Sequence, residues 1–403
     1  MRHRLIATVA VPVVVGTLVL TGCGSTKKST TNTSSSSGSK PTYTIAYQGP
    51  LSGGNAQLGL NMAYAVQLAV NQANAKGDLP FKLKFAKQDD QGSPDQSPTA
   101  AQKSIQDPKV MVVIGPAFSG ATNAAEPLFS QADLASVTPS ATRPDLTTHG
   151  WHNFFRAVAD DNAQGPAAAT YLAKVVKAKT VYSIDDASDY AKGLSGALDS
   201  ALKADGVTVI HETAPASTQC QGTGNSQQYG AIAGKVQNKR PDAVYYSGYY
   251  CDFALLAKAL RSAGYKGQLM SDDGSNDNKY VEQASASVAE GTLLSCACTD
   301  LASDPNAASF VSQFKSLAGF PVGTYSGEAY DAANAAIAAM KSVGKNLTRA
   351  KVVQAIANVD YQGLTKEIKF SSDGNVATRT VYVYQVKNGK ITFVGDAAKL
   401  AGG

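Results

Sequence analysis

The sequence predicts an α/β protein with two doubly wound parallel-sheet lobes. Three observations predict it. Strand and helix patterns alternate along the chain. They do so in two successive runs. The globular part, about 360 residues, exceeds what a single core usually supports.

The first run opens with a strand over 43–47 and a helix over 55–75, whose apolar spacing falls on Met62, Val66, Ala69 and Ala73. A strand over 81–86 alternates in polarity, and a helix follows around 98–105. Residues 110–114 form a continuous apolar run, the pattern of a strand buried on both faces. A helix over 120–131 follows. The second run has strands over 180–184, 207–211 and 243–247, with helices over 194–204, 229–236 and 253–262. Short strands are expected over 269–271 and 292–294, then helices over 309–317 and 328–343, and a late strand over 367–370. Strands over 380–386 and 391–394 flank Asn388-Gly389, a pair suited to a two-residue hairpin turn.

The N-terminus reads as an export signal. Arg2 and Arg4 precede an apolar stretch over 5–20, shorter than the ~20 residues that a spanning helix needs. Leu20-Thr21-Gly22-Cys23 then resembles a bacterial lipobox, with residues 1–22 as signal peptide and Cys23 as the lipidated residue. Two acyl chains would anchor it stably to a membrane. Residues 23–41 form the expected tether. From Gly24 to Lys40 it carries no hydrophobic side chain, so it cannot bury enough apolar surface to fold.

The net charge of +5 comes from this leader and tether. Arg2, Arg4, Lys27, Lys28 and Lys40 lie there without an acidic residue, leaving 31 basic against 31 acidic residues in the body. A neutral body argues against nucleic-acid binding. The five cysteines fit an exported protein. With Cys23 acylated, Cys220, Cys251, Cys296 and Cys298 allow three pairings. Cys220 with Cys251 and Cys296 with Cys298 is preferred. Cys296-Ala297-Cys298 could alternatively be half of a metal site, but no partner motif accompanies it, and neither metal nor cofactor is expected.

Enzyme signatures are missing. The chain has no GxSxG, GxxxxGK[ST] or HExxH pattern. His149 and His152 have ligand spacing but read as loop filling. Asp89-Asp90 and Asp185-Asp186 end strands, where carboxylates hold water, cap helices or touch ligand, and they are too far apart in sequence to read as a catalytic dyad.

Eight segments carry a family resemblance: Gly49-Pro50-Leu51-Ser52-Gly53, Gln88-Asp89-Asp90, Val113-Ile114-Gly115-Pro116, Thr138-Pro139-Ser140-Ala141-Thr142-Arg143-Pro144, Asn153-Phe154-Phe155-Arg156, Asp161-Asn162-Ala163-Gln164-Gly165-Pro166, Ser247-Gly248-Tyr249-Tyr250 and Ala329-Tyr330-Asp331-Ala332. In this order they resemble the type I periplasmic binding proteins of the leucine/isoleucine/valine-binding group. The resemblance implies two lobes joined by a three-strand hinge, 42–161 with 297–378 and 162–296 with 379–396. It also implies a monomer that closes on an aliphatic amino acid, outside the cell membrane, and docks on an ABC permease. An amide, urea or aromatic acid as ligand, or a sensor role with a signalling partner, are the alternative readings.

The resemblance also places a site. Ser119, Ser140 and Thr142 match ligand contacts. Locally, Phe118-Ser119-Gly120 leaves a buried strand and enters a helix, where free N–H groups favour an anion and Gly120 permits close approach. Asp273 matches the family's acidic partner of the ligand ammonium, usually a longer Glu, with Asp272 as rival. Tyr190 and Tyr249 match aromatics that contact the ligand on closure, with Tyr250 as rival to Tyr249. Leu58 stands where the family often has an aromatic, and Phe118 could fill that gap.

Overall fold

The computed structural model describes residues 40–402. The leader, Cys23 and most of the tether lie outside the described residues. Lys40 and Pro41, read as the tether's end, are tied to the body. Lys40 Nζ donates to Gly77 O and Leu79 O, and Pro41 O accepts from Lys82 N. No helix among the described residues is long and apolar enough to cross a membrane.

The first sheet is wholly parallel. Its strands are β1 (Thr42–Gly49), β2 (Lys82–Asp89), β3 (Val110–Ile114), β4 (Ala135–Thr138) and β5 (Phe154–Arg156), in the order β2-β1-β3-β4-β5. β3 is buried along its whole length, which accounts for the unbroken apolar run. The strands alternate with helices Ala56–Lys76, Ser97–Gln106 and Ser119–Gln131.

The second sheet starts from β6 (Thr180–Asp185), β7 (Thr208–Thr213), β8 (Ala243–Ser247), β9 (Gln268–Ser271) and β10 (Leu293–Cys296), all parallel where they pair. Helices Asp161–Lys174, Asp189–Ala204, Gln228–Lys239, Tyr250–Ser262 and Asn278–Ala284 cover it. The chain then returns to the first sheet with helices Ala308–Ala318, Ser326–Val343 and Arg349–Ala357, and makes a small ribbon from β11 (Asp360–Gln362) and β12 (Glu367–Lys369). It ends with β13 (Tyr382–Lys387) and β14 (Lys390–Asp396), antiparallel additions to β10, giving the order β14-β13-β10-β9-β8-β6-β7. Asn388 and Gly389, at φ 52° and 70°, make the hairpin turn between them.

Most expected elements are present with ends shifted by a few residues. Two helices go beyond the sequence expectation: Asp161–Lys174, where Gly165 and Pro166 mask the helical pattern, and the short Arg349–Ala357. The cysteines pair as preferred, Cys220 with Cys251 and Cys296 with Cys298. The two histidines take separate partners. The His149 ring stacks on Trp151, and His152 pairs with Asp133.

Candidate functional site

The loops leaving β1, β3, β4, β6, β8 and β9 lead to the carboxyl ends of their strands, the position at which doubly wound sheets hold ligands. There, loops of the first sheet meet loops of the second around a small cavity of about 20 Å³. Seven of the residues read from the sequence line it together: Leu58, Phe118, Ser119, Ser140, Tyr190, Tyr249 and Asp273. Met62, Ala117, Gly274 and Tyr325 complete the lining.

Ser119 opens the helix that follows β3. That helix has no side-chain cap, so its first N–H groups are unspent by capping. Ser119 Oγ accepts a hydrogen bond from Arg143 N at 3.2 Å, which fixes its rotamer. Ser140 Oγ donates to Ala117 O at 2.7 Å, tying the loop after β4 to the loop after β3. Two expected contacts fall outside the lining. Thr142 is fully buried; its carbonyl accepts from Asp161 N at 2.9 Å, and its hydroxyl has no partner among the described residues. Gly120 approaches Pro94 closely: a Cβ there would stand 2.9 Å from Pro94 Cγ.

The opposite wall comes from the second sheet. Tyr190 lies in the first turn of helix Asp189–Ala204, whose start is capped by Ser188 Oγ accepting from Ala191 N. Tyr249 precedes helix Tyr250–Ser262, and its ring stacks on Phe118 with centroids 4.3 Å apart. Tyr250, the rival contact, lies outside the lining; its hydroxyl accepts from Gln57 N at 3.4 Å.

Asp273 is the polar focus. Its Oδ1 accepts from Gln164 Nε2 at 2.6 Å and from Tyr190 OH at 2.7 Å, and its Oδ2 accepts from Tyr325 OH at 2.8 Å. Burial pushes its pKa up against these three hydrogen bonds. Asp272, which accepts from Gly248 N, is pushed well up by burial and then by the charge of Asp273. Asp161 is raised by burial and again by Asp273. Three buried carboxyl groups thus share one neighbourhood, while among the described residues no Lys, Arg or His lines the cavity. A cationic group on a ligand would relieve this repulsion, and Asp273 is the one of the three that faces the cavity. Burial, and then nearby carboxylates, hold the Tyr190 phenol far above its ordinary pKa, so it stays a proton donor.

Tyr325 and Met62 are lining residues that the sequence alone does not single out. Met62 looks like any core position of its helix. Tyr325 adopts φ 62° just before helix Ser326–Val343 and takes the capping position itself, where Ser, Thr, Asp or Asn is usual. The strand-end pairs Asp89-Asp90 and Asp185-Asp186 shape loops. Asp89 binds Leu51 N and Ser52 Oγ, Asp90 binds Gly92 N, Asp185 binds Ala187 N and Asp186 binds Ser188 N.

A cavity closed by two sheets, with donors on one wall and a carboxylate and aromatic faces on the other, defines a solute-binding protein. Residues 42–390 match the periplasmic binding protein family, and the chain belongs to it. A Leu/Ile/Val-binding protein homolog of Brucella melitensis is 27% identical over 352 residues, covering 86% of this chain and 92% of the relative. The crystal structure of a branched-chain amino acid transporter substrate-binding protein from Streptococcus pneumoniae, in complex with isoleucine, is 27% identical with a TM-score of 0.78, covering 88% of this chain and 99% of that one. A solute-binding protein of an ABC transporter from R. palustris, in complex with benzoate, shares the fold at 21% identity and a TM-score of 0.77, covering 88% of this chain and 96% of that one.

Proposed function

We propose that the protein captures an aliphatic, branched-chain amino acid in this cavity and delivers it to an ABC permease from the outer face of the cell membrane, anchored through Cys23. The observation that carries the ligand class is Asp273, a buried carboxylate in a cavity without a cationic side chain. It suits an ammonium group. The uncapped helix start at Ser119, with Ser140 beside it, suits a carboxylate. Leu58, Met62 and Phe118 supply an apolar surface for an aliphatic side chain. The relatives named for leucine, isoleucine and valine support the same class.

In this reading the two sheets with their helices are lobes, 42–161 with 297–378 and 162–296 with 379–396. Ligand bridges them and shifts the population toward the closed form. The protein acts as a monomer that binds without turnover. The test is thermal stability of the purified protein, unfolded and refolded to strip bound ligand, against amino acids, amides, urea and aromatic acids. A ligand at 100 times its Kd stabilises by about 2.7 kcal/mol. Stabilisation by leucine, isoleucine or valine is expected. Stabilisation only by benzoate or an amide would overturn the assignment of Asp273.

A further inference from the structure

The halves also meet at a rim outside the cavity. The turn after β1 lies against a lip formed by residues 217–224 and the start of helix Tyr250–Ser262. Gly54 N donates to Gln221 Oε1 at 3.0 Å, and Cys251 N donates to Asn55 Oδ1 at 3.4 Å. The fit is close. A Cβ on Gly53 would stand 1.7 Å from Gln221 Oε1, and one on Gly54 3.1 Å from Cys220 Cα.

The lip has a costly conformation. Gln221 has φ 68°, a region uncommon for residues other than glycine. Gly222 and Gly224 pass so near Ala216 O and Pro215 O that a Cβ would stand 1.9 and 2.0 Å away. The Cys220–Cys251 disulfide ties the residue before Gln221 to the helix that Tyr249 precedes. The bridge therefore links the rim contact to the aromatic wall of the cavity, where Tyr249 stacks on Phe118.

We propose that Gln221, held in place by the Cys220–Cys251 bridge, is a positioning residue that latches the closed form and sets how long ligand stays bound. Neither Gln221 nor the bridge lines the cavity. Their contacts with Gly54 and Asn55 exist only while the lobes are together, so they add to the closed form and nothing to the open one. Ligand affinity scales with the fraction of binding-competent closed protein. The proposal rests on the two-lobe closure proposed above.

Two variants of the full chain test it, Gln221→Ala and the pair Cys220→Ser with Cys251→Ser. Leucine dissociation is followed by a chase, and the ligand-free radius of gyration by small-angle scattering. Both variants are expected to release leucine about threefold faster or more, the effect of one lost hydrogen bond, and to show a larger ligand-free radius. The melting temperature of Gln221→Ala should stay near wild type, since it removes an exposed side chain. Unchanged dissociation and scattering in Gln221→Ala would overturn the latch. So would a lower melting temperature of the cysteine pair without faster release, which makes the bridge a staple only. If the wild type binds no amino acid yet both variants open, the latch stands and the ligand assignment fails.

Discussion

The Tyr325 phenol donates a 2.8 Å hydrogen bond to Asp273 Oδ2, joining the start of helix Ser326–Val343 to the loop after β9. That helix packs with the first sheet, whereas β9 belongs to the second, so the bond spans the cleft. Tyr325→Phe keeps the ring and removes the donor. A net loss of about 1 kcal/mol, roughly fivefold in Kd, is expected by calorimetry. An unchanged Kd would show that the phenol contributes only packing.

Removing the acid itself costs more. Asp273→Ala takes away the cavity's carboxylate and leaves the Gln164, Tyr190 and Tyr325 donors without their acceptor. Ser119→Ala removes the hydroxyl at the helix start. Each should weaken leucine binding by about tenfold or more, as expected for a charged hydrogen bond. Full affinity in either variant would remove that residue from the site.

Leu58 bears on selectivity. It is buried on helix Ala56–Lys76 and lines the small cavity. Leu58→Phe enlarges the side chain there, so the leucine-to-alanine preference should fall about tenfold. An equal loss for both amino acids would place Leu58 away from the ligand side chain.

Stability should depend on pH through Glu126, away from the cavity. Burial raises its pKa to about 8 against hydrogen bonds from Ser136 and Asn153. The folded state then holds a proton that the unfolded chain releases near 4.5. This contribution is complete below 4.5 and is lost as pH rises to about 8. Asp90, raised to about 6 by burial, and Asp186, raised to about 7 by burial, act in the same direction. Glu126→Gln should melt higher than wild type at pH 8 and lose part of this slope. A parallel pair of curves would dismiss Glu126 as the source.

The sequence made the repeating layers legible because their signals are local. The apolar run of β3 and the Asn388-Gly389 turn need no tertiary context. Residues as distant as Leu58, Ser140 and Asp273 converge on one cavity, and only the family resemblance could associate them beforehand. Thr142 carries the same signal as Ser140; it is absent from the cavity lining, but its buried hydroxyl is left without a partner among the described residues. Tyr325 was invisible because its role depends on a left-handed backbone and on a carboxylate 52 residues away. Gly120 was legible as a close approach, but the partner, Pro94, was not.

The chain's return path bears on the order of folding. All strands of the first sheet are made by Arg156, yet two of the helices that pack with it, Ser326–Val343 and Arg349–Ala357, arrive only much later. In the second sheet, β10 is an open edge until β13 reaches it from some ninety residues later. Both layers therefore wait on the last quarter of the chain. Such distant pairing slows folding, so a chain cut short near residue 300 would carry a first sheet only partly covered and a second sheet with an open edge.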